Sequence, residues 1–513
     1  IFLGREDGHL PLGTSNYEKR GIATRLPVWD STACIQCNRC SFVCPHAVIR
    51  PYLLDAQEVE KAPDGFVSVP AKGAKEYQFS LQISDMDCTG CGSCVASCPM
   101  SGKALRMEPV TGELSLTPAW EYGLTITDKQ AFKAETVKGS QFRQPLCEFS
   151  GACAGCGETP YAKLLTQLYG DRMYWANATG CSQAWGAAMP SIPYTVSKEG
   201  RGPAWSNSLF ENNAEFCLGM YLSVKQQRYK TRAWIEELRG LVPELEAPIA
   251  EWLDTFSDVN ASMPASEKLE AALKETQVTG RADELKTLIL RHPEHIAKQP
   301  VWMYGGDGWA YDIGYGGLDH VLASGKNVKI LVMDTEVYSN TGGQASKATP
   351  TGAIAKFAAS GKVQAKKNLG LMQMQYKNVY IAYVSMGTNP AATVKAFNEA
   401  ENYNGPALII AYAHCIEQGL ATKTGPAHQK AAVDSVHFPL WTYNPTTGKL
   451  KLDSADKSDT VSFAKNAISK ELGENRFKQL VKKVGPEKAM AMLEKSEQGF
   501  KENYALLKKL SEM

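Results

Sequence analysis

From about residue 120 onward, short apolar runs alternate with longer amphipathic stretches. The runs are RMYWANATGC, VWMYGGD, NVKILVMDT, VYIAYVSMGTN and ALIIAYAHC. Runs of this length, rich in Val, Ile, Tyr and Ala and separated by helix-length segments, predict buried strands of a parallel α/β sheet. They end at or near Cys181, Asp307, Thr335, Asn389 and Cys415. Ligands of an open parallel sheet sit outside the carboxyl ends of its strands, so these positions are expected along one edge. A charged, helix-rich stretch at about 222–300 (KQQRYKTRAWIEELRGL, then EKLEAALKETQ) predicts an insertion that covers one face and carries no chemistry. Residues 31–115 show little helix-length periodicity and predict a small α+β domain. Residues 1–30 are punctuated by Gly and Pro and predict a linker or arm, which leaves 116–513 for the α/β domain.

Composition narrows the function classes. With 513 residues and 44% hydrophobic content, the chain has room for two to four domains. A net charge of +1 gives no argument for nucleic acid or an acidic membrane as partner. No apolar run reaches the ~18 residues of a membrane span. The opening IFLGREDGHLPLG has neither an initiator Met nor a basic leader region, so no signal peptide is expected, and the start resembles that of a fragment or processed piece. Fourteen cysteines without an export signal predict a reducing, cytoplasmic setting and metal ligation rather than disulfides. The eight histidines show no zinc spacing.

Eight of those cysteines form a repeat. CIQCNRCSFVCP (Cys34, Cys37, Cys40, Cys44) and CTGCGSCVASCP (Cys88, Cys91, Cys94, Cys98) both fit C-x2-C-x2-C-x3-C-P. This is the two-cluster ferredoxin pattern, in which three thiolates of a run hold one [4Fe–4S] cube and the fourth serves the other. One cluster then takes Cys34, Cys37, Cys40 and Cys98, and the second takes Cys88, Cys91, Cys94 and Cys44. Zinc closes with four ligands and has no use for two interleaved runs that each end in Pro. The long interval between the runs, including FVSVPAKGAKEYQFSLQI, predicts an inserted hairpin. A further pair, Cys153 and Cys156 in ACAGCGETPYAK, is by itself compatible with a redox disulfide, half a zinc site or half an iron–sulfur site.

GGDGWAYDIGYGG followed by VKILVMDTEVYSNTGGQAS resembles the thiamine-diphosphate fingerprint, in which G-D-G precedes N-N. Asp307 would offer a carboxylate oxygen to Mg²⁺, and Gly305, Gly306 and Gly308 would let the backbone approach the phosphates. Thr335-Glu336 stands where Asn-Asn is usual, and a Thr335 hydroxyl with the Val337 carbonyl can still complete the oxygen set. No G-x-G-x-x-G opens a helix here, which disfavours a nicotinamide site.

Two ferredoxin-type runs ahead of this fingerprint, with YEKRGIATRLPVWD, CAGCGETPY, ATGCSQAWG, GPAWSNSLFENNAEF, TEVYSNTGGQ and AHCIEQG, make the chain similar to the C-terminal part of pyruvate:ferredoxin (flavodoxin) oxidoreductases over essentially its whole length. The resemblance implies a thiamine-diphosphate domain with its own proximal [4Fe–4S] cluster on Cys153, Cys156, Cys181 and Cys415. It implies that Glu158 and the backbone around Cys181 touch the cofactor. Gly306, Asp307, Gly308 and Trp309, with Thr335, Glu336, Val337, Tyr338, Ser339 and Asn340, would hold the diphosphate, and Asp307, Thr335 and Val337 would hold Mg²⁺. Asn340 would reach the reacting carbon. Cys217 is left as a small buried hydrophobe and Cys147 as inert, while His414 is expected to be packed or hydrogen-bonded rather than a ligand. Trp309 is as compatible with a core position as with a cofactor contact.

The implied activity is oxidative decarboxylation of pyruvate with coenzyme A to acetyl-CoA and CO₂. Electrons would pass through three [4Fe–4S] clusters to ferredoxin or flavodoxin. The N-terminal domains of the same enzyme, which carry substrate-binding groups, and a homodimeric assembly are also implied. The competing readings are an oxidoreductase for another 2-oxo acid, a stand-alone electron carrier without catalysis, and a thiamine-dependent lyase without redox chemistry. The eight repeat cysteines argue against the last.

Overall fold

The structure, a computed structural model, describes residues 10–100, 102–188 and 191–513. The first nine residues of the expected arm lie outside the described residues. Five short strands build the N-terminal region: β1 Arg25–Trp29, β2 Ile49–Leu54, β3 Val69–Pro70, β4 Gln78–Ile83 and β5 Leu105–Pro109. β1 pairs antiparallel with β5, and β4 lies between β2 and β3, antiparallel to both. The expected hairpin is therefore β3–β4, and β2 extends it to a three-stranded sheet.

Arg25–Trp29 lies within the presumed arm yet forms a strand of the cysteine-rich region. Trp120 and Phe149, past the expected limit, are buried in one core with Cys44, Cys88, Cys94, Phe79 and Leu81. This long-range aromatic packing is invisible to local pattern.

The C-terminal region is built on an eight-stranded sheet of β6 Tyr174–Ala178, β7 Ala204–Ser208, β8 Val301–Gly306, β9 Lys329–Asp334, β10 Tyr380–Val384, β11 Ala407–Tyr412, β12 Trp441–Asn444 and β13 Lys449–Leu452. The spatial order is β13-β12-β10-β11-β9-β8-β6-β7. The six strands from β10 to β7 run parallel, and β12 and β13 close one edge as an antiparallel hairpin. Successive residues of one strand feed opposite cores, as a sheet buried on both faces requires. Met303, Ile330, Val332, Ile381, Leu408 and Ile410 pack on one face. Trp302, Tyr304, Leu331, Met333, Ala382 and Ile409 pack on the other.

The helical insertion starts earlier than expected, with helix Asn213–Leu241. Its first half lies on the sheet, where Cys217 is buried with Ala214, Met303 and Leu318. Its second half joins helices Glu246–Thr255, Ser262–Glu275 and Arg281–Leu290 around a separate core that includes Trp252 and Ile235. Among the described residues no helix is long and apolar enough to cross a membrane.

Candidate functional site

The two cysteine runs fold alike. Gln36 and Asn38 take left-handed backbone (φ 58° and 59°) at the positions that Gly90 and Gly92 occupy in the second run (φ 68° and 78°). Each loop thereby turns a backbone N–H onto its first sulfur: Gln36 N donates to Cys34 Sγ (3.3 Å) and Gly90 N to Cys88 Sγ (3.4 Å). A third such bond runs from Glu158 N to Cys156 Sγ (3.4 Å).

None of the fourteen cysteines forms a disulfide, and twelve of them gather in three sets. Cys34, Cys37, Cys40 and Cys98 line one cavity with Trp29, Phe79 and Leu105. Burial, then the adjacent Cys37 and Cys34, push the Cys40 thiol up. Burial, then Cys44 and Cys91, do the same to Cys94. In the third set burial, then Glu158, then Cys181 and Cys156 raise Cys415, while Cys153 stands exposed. Among the described residues the group of three His, Cys, Asp or Glu ligand atoms within 4.8 Å of one another is His292, Glu294 and His295, on the insertion. The thiol sets are wider. A mononuclear zinc needs sulfurs about 3.8 Å apart at its Zn–S distance, and a four-iron cube holds its thiolates farther apart.

The sets form a row. Gly155, at φ 75°, lies between Cys153 and Cys156, and a Cβ placed there would be 3.4 Å from Cys91 Cβ and 2.7 Å from Thr422 Cβ. The Cys44/Cys88/Cys91/Cys94 set therefore abuts the Cys153–Cys156 loop on one side. On its other side the chain passes through Ser41 to Cys40. His414 anchors the loop. Gly387 N and Ser385 Oγ donate to Gln429 Oε1 (2.6 and 2.9 Å), which turns the Gln429 amide nitrogen toward His414 Nδ1 (3.0 Å). The His414 Nε2–H then donates to the Gly155 carbonyl (2.9 Å), and burial drops this imidazole to about 4, so it stays neutral.

The third set borders the predicted diphosphate loop. Cys181 Sγ lies 3.4 Å from Ser339 Oγ. Gln418 links the two loops, since its Oε1 accepts from Cys415 N (3.2 Å) and its Nε2 donates to the Thr335 carbonyl (2.9 Å). Asp307, fully buried at the end of β8, accepts from Thr335 Oγ1 (2.9 Å) and Ser346 Oγ (2.5 Å). Thr335 Oγ1 is also 3.1 Å from the Val337 carbonyl oxygen. These spacings match the edges of an octahedron about a cation at 2.0–2.1 Å, which are about 2.9 Å. Burial, then the charge of Asp334, push the Asp307 carboxyl up to about 7, a cost that a bound cation would offset. The donor set fits Mg²⁺.

The remaining expected residues are placed as follows. Glu158 is buried, pushed up to about 7 by burial, and accepts from Trp185 Nε1 (3.1 Å). Trp309 is fully buried in the sheet core. A Cβ at Gly308 would lie 2.5 Å from the Tyr338 ring. Tyr338 stacks on Phe210, and Asn340 is exposed on the open side of its loop. Glu336, at φ 60°, commits its carboxylate to Lys366 (2.9 Å), His437 (2.7 Å) and Arg476 (2.7 Å). Burial opposes its charge, yet His437, Lys366 and Arg476 hold it well below the usual carboxylate range. Glu336→Ala leaves Lys366 and Arg476 uncompensated and is expected to cost about 3–5 kcal/mol of stability in chemical denaturation. A loss below about 1 kcal/mol would show that the network is not a structural anchor.

His414 is packed and hydrogen-bonded, as its sequence context predicts, whereas nothing in the local chemistry of Ser346, Gln418 and Gln429 marks them as site residues. Gln418 lies inside AHCIEQG, where its distance of three residues from Cys415 was the available signal.

Comparison with known proteins meets this geometry from a second direction. Residues 33–102 match a 4Fe-4S dicluster domain, and residues 290–411 match the C-terminal TPP binding domain of thiamine pyrophosphate enzymes. The chain is an iron–sulfur protein with a thiamine-diphosphate domain. A pyruvate-flavodoxin oxidoreductase of Klebsiella pneumoniae is 48% identical over 99% of this chain and 44% of its own length. A pyruvate:ferredoxin oxidoreductase of Moorella thermoacetica gives the same figures, and a pyruvate dehydrogenase [NADP(+)] of Cryptosporidium parvum is 42% identical over 98% of this chain and 28% of its own. The chain is thus a relative of the pyruvate:ferredoxin (flavodoxin) oxidoreductases along essentially its whole length, and it spans a little under half the length of the first two.

Proposed function

We propose that this chain is the cofactor-holding, electron-relay part of an enzyme that oxidises pyruvate with coenzyme A to acetyl-CoA and CO₂. The observation that carries the reading is the row of three thiol sets, which ends at Cys181 against Ser339 on the loop that begins with Thr335. Asp307, Thr335 and Val337 would hold Mg²⁺, and Gly306 to Trp309 with Tyr338 to Asn340 would border the diphosphate. Bound thiamine diphosphate would supply an electron sink for decarboxylating a 2-oxo acid. Glu158 faces the proximal thiols as a buried carboxyl. Cys153, Cys156, Cys181 and Cys415 would hold the proximal [4Fe–4S] cluster, Cys44, Cys88, Cys91 and Cys94 the next, and Cys34, Cys37, Cys40 and Cys98 the outermost, and such clusters would supply one-electron acceptors leading toward ferredoxin or flavodoxin.

On this reading the chain works in the cytoplasm, within a homodimer, beside the N-terminal domains that supply the substrate-binding groups. Its own divisions are residues up to about 150 for the two-cluster region and the remainder for the thiamine region. Anaerobic reconstitution should load about twelve irons per chain, three four-iron clusters, together with bound thiamine diphosphate. About eight irons and no thiamine would favour the stand-alone electron carrier. The chain by itself is expected to show no pyruvate- and coenzyme A-dependent reduction of flavodoxin, and the enzyme that includes the missing domains is expected to show it. Preference of that whole enzyme for a different 2-oxo acid would overturn the pyruvate assignment.

A further inference from the structure

Helix Thr159–Tyr169 follows the Cys153–Cys156 loop directly and is buried along its whole length. Lys163 in this helix is 2% exposed, and its Nζ donates to the backbone carbonyl of Ser41. Ser41 follows Cys40, of the first set, and precedes Cys44, of the second. The ammonium therefore sits where the chain passes from one set to the other. The same Ser41 is gripped a second time. Its hydroxyl donates to Gln141 Oε1 (3.0 Å), and the Gln141 amide donates to Gln167 Oε1 (3.0 Å). Gln167 lies one helical turn beyond Lys163, so two neighbouring positions on one helix face hold the seam between the runs.

A buried ammonium is costly unless something negative compensates it. Burial lowers the Lys163 ammonium to about 8, the sulfurs of Cys44, Cys40 and Cys147 favour its charge, and Arg50 opposes it. Glu148, which lines one cavity with Lys163, is paired with Arg50. A [4Fe–4S] cluster on four thiolates is anionic, and each one-electron reduction adds one more negative charge. A fixed cation at this distance stabilises the reduced form, and it does so strongly in a low-dielectric interior.

We propose that Lys163 is an electrostatic tuning residue that raises the reduction potentials of the two clusters of the N-terminal region together, so that both accept electrons from the thiamine side. The inference rests on the reading that Cys34/37/40/98 and Cys44/88/91/94 hold [4Fe–4S] clusters. The test is a potentiometric titration of the cluster-loaded protein followed by EPR. Lys163→Met removes the charge at similar length, and Lys163→Gln removes it while keeping an amide donor toward Ser41. Lys163→Arg keeps the charge. In both neutral variants the two clusters should become about tenfold harder to reduce, a shift of about 59 mV to lower potential for a one-electron couple. The Arg variant should stay near the parent, and the proximal cluster should move less. Unchanged potentials in a fully iron-loaded neutral variant would overturn the proposal, as would an Arg variant that shifts as far as Met. Loss of both clusters in Met and Gln but not in Arg would replace it with a role in cluster assembly. Absence of cluster signals from the parent protein would instead sink the underlying reading.

Discussion

Asp307→Ala is expected to weaken binding of thiamine diphosphate with Mg²⁺ by at least about a hundredfold, a loss beyond that of removing a group that only supports a ligand. The carboxylate does two things at once. It orders the loop after β9 by accepting from Thr335 N (3.2 Å), Thr335 Oγ1 and Ser346 Oγ, and it supplies the negative charge of the oxygen set. The alanine variant loses both. Asp307→Asn separates them, because an amide oxygen still accepts from Thr335 but carries no charge. If the charge matters most, the Asn variant should lose nearly as much affinity as Ala while its fold, followed by circular dichroism, stays intact. The measurement is a titration of thiamine diphosphate at saturating Mg²⁺, read by calorimetry. An Asn variant that binds within about threefold of the parent would show that Asp307 organises the loop without holding a cation, since metal affinity depends on an ionised ligand.

What could be read from the chain before folding follows from the range over which each signal acts. The cysteine runs are local: four ligands within eleven residues, with a Pro at the end, announce their chemistry by spacing alone. The parallel strands were legible for a related reason. β9 and β11 are uninterrupted apolar runs because both faces of the sheet are covered, and their polar ends mark the edge where Asp307, Thr335 and Cys415 meet. β1 was hidden. RLPVW is short, contains a proline and becomes a strand only by pairing with Leu105–Pro109, about eighty residues away. The edge hairpin β12–β13 was hidden too, as its alternating polar positions differ from the buried runs beside it.

The same division separates the site residues. Asp307 and Thr335 sit within recognisable strings, whereas the role of Lys163 exists only through a carbonyl 122 residues away, and that of His414 through one 259 residues away. Each is an ordinary buried polar residue until its partner is known. Glu336 shows the converse. Its position in the fingerprint suggests a ligand, and the fold gives its carboxylate three partners, Lys366, His437 and Arg476, from later segments of the chain.

Cys415→Ser should remove one of three cluster signals and lower iron from about twelve to about eight per chain, leaving the other two clusters in place. The substitution is conservative in volume, and the backbone N–H of residue 415 can still donate to Gln418 Oε1. The link from Gln418 to the Thr335 carbonyl should then persist, so thiamine diphosphate binding is expected to change by less than about threefold. That contrast is the informative part, because a merely misfolded loop would lose the cluster and the cofactor together. Cys147→Ser and Cys217→Ser are the controls. Both thiols are buried in the cores that flank the sheet, apart from the three sets, so either replacement should keep all three signals. On the proposed function, Cys415→Ser should also lower pyruvate-dependent reduction of flavodoxin in the whole enzyme by at least about a hundredfold, as for loss of a metal site that activity requires. Survival of all three signals would mean that Cys415 is not a ligand, and that its meeting with Cys181 at the strand ends is a consequence of topology alone.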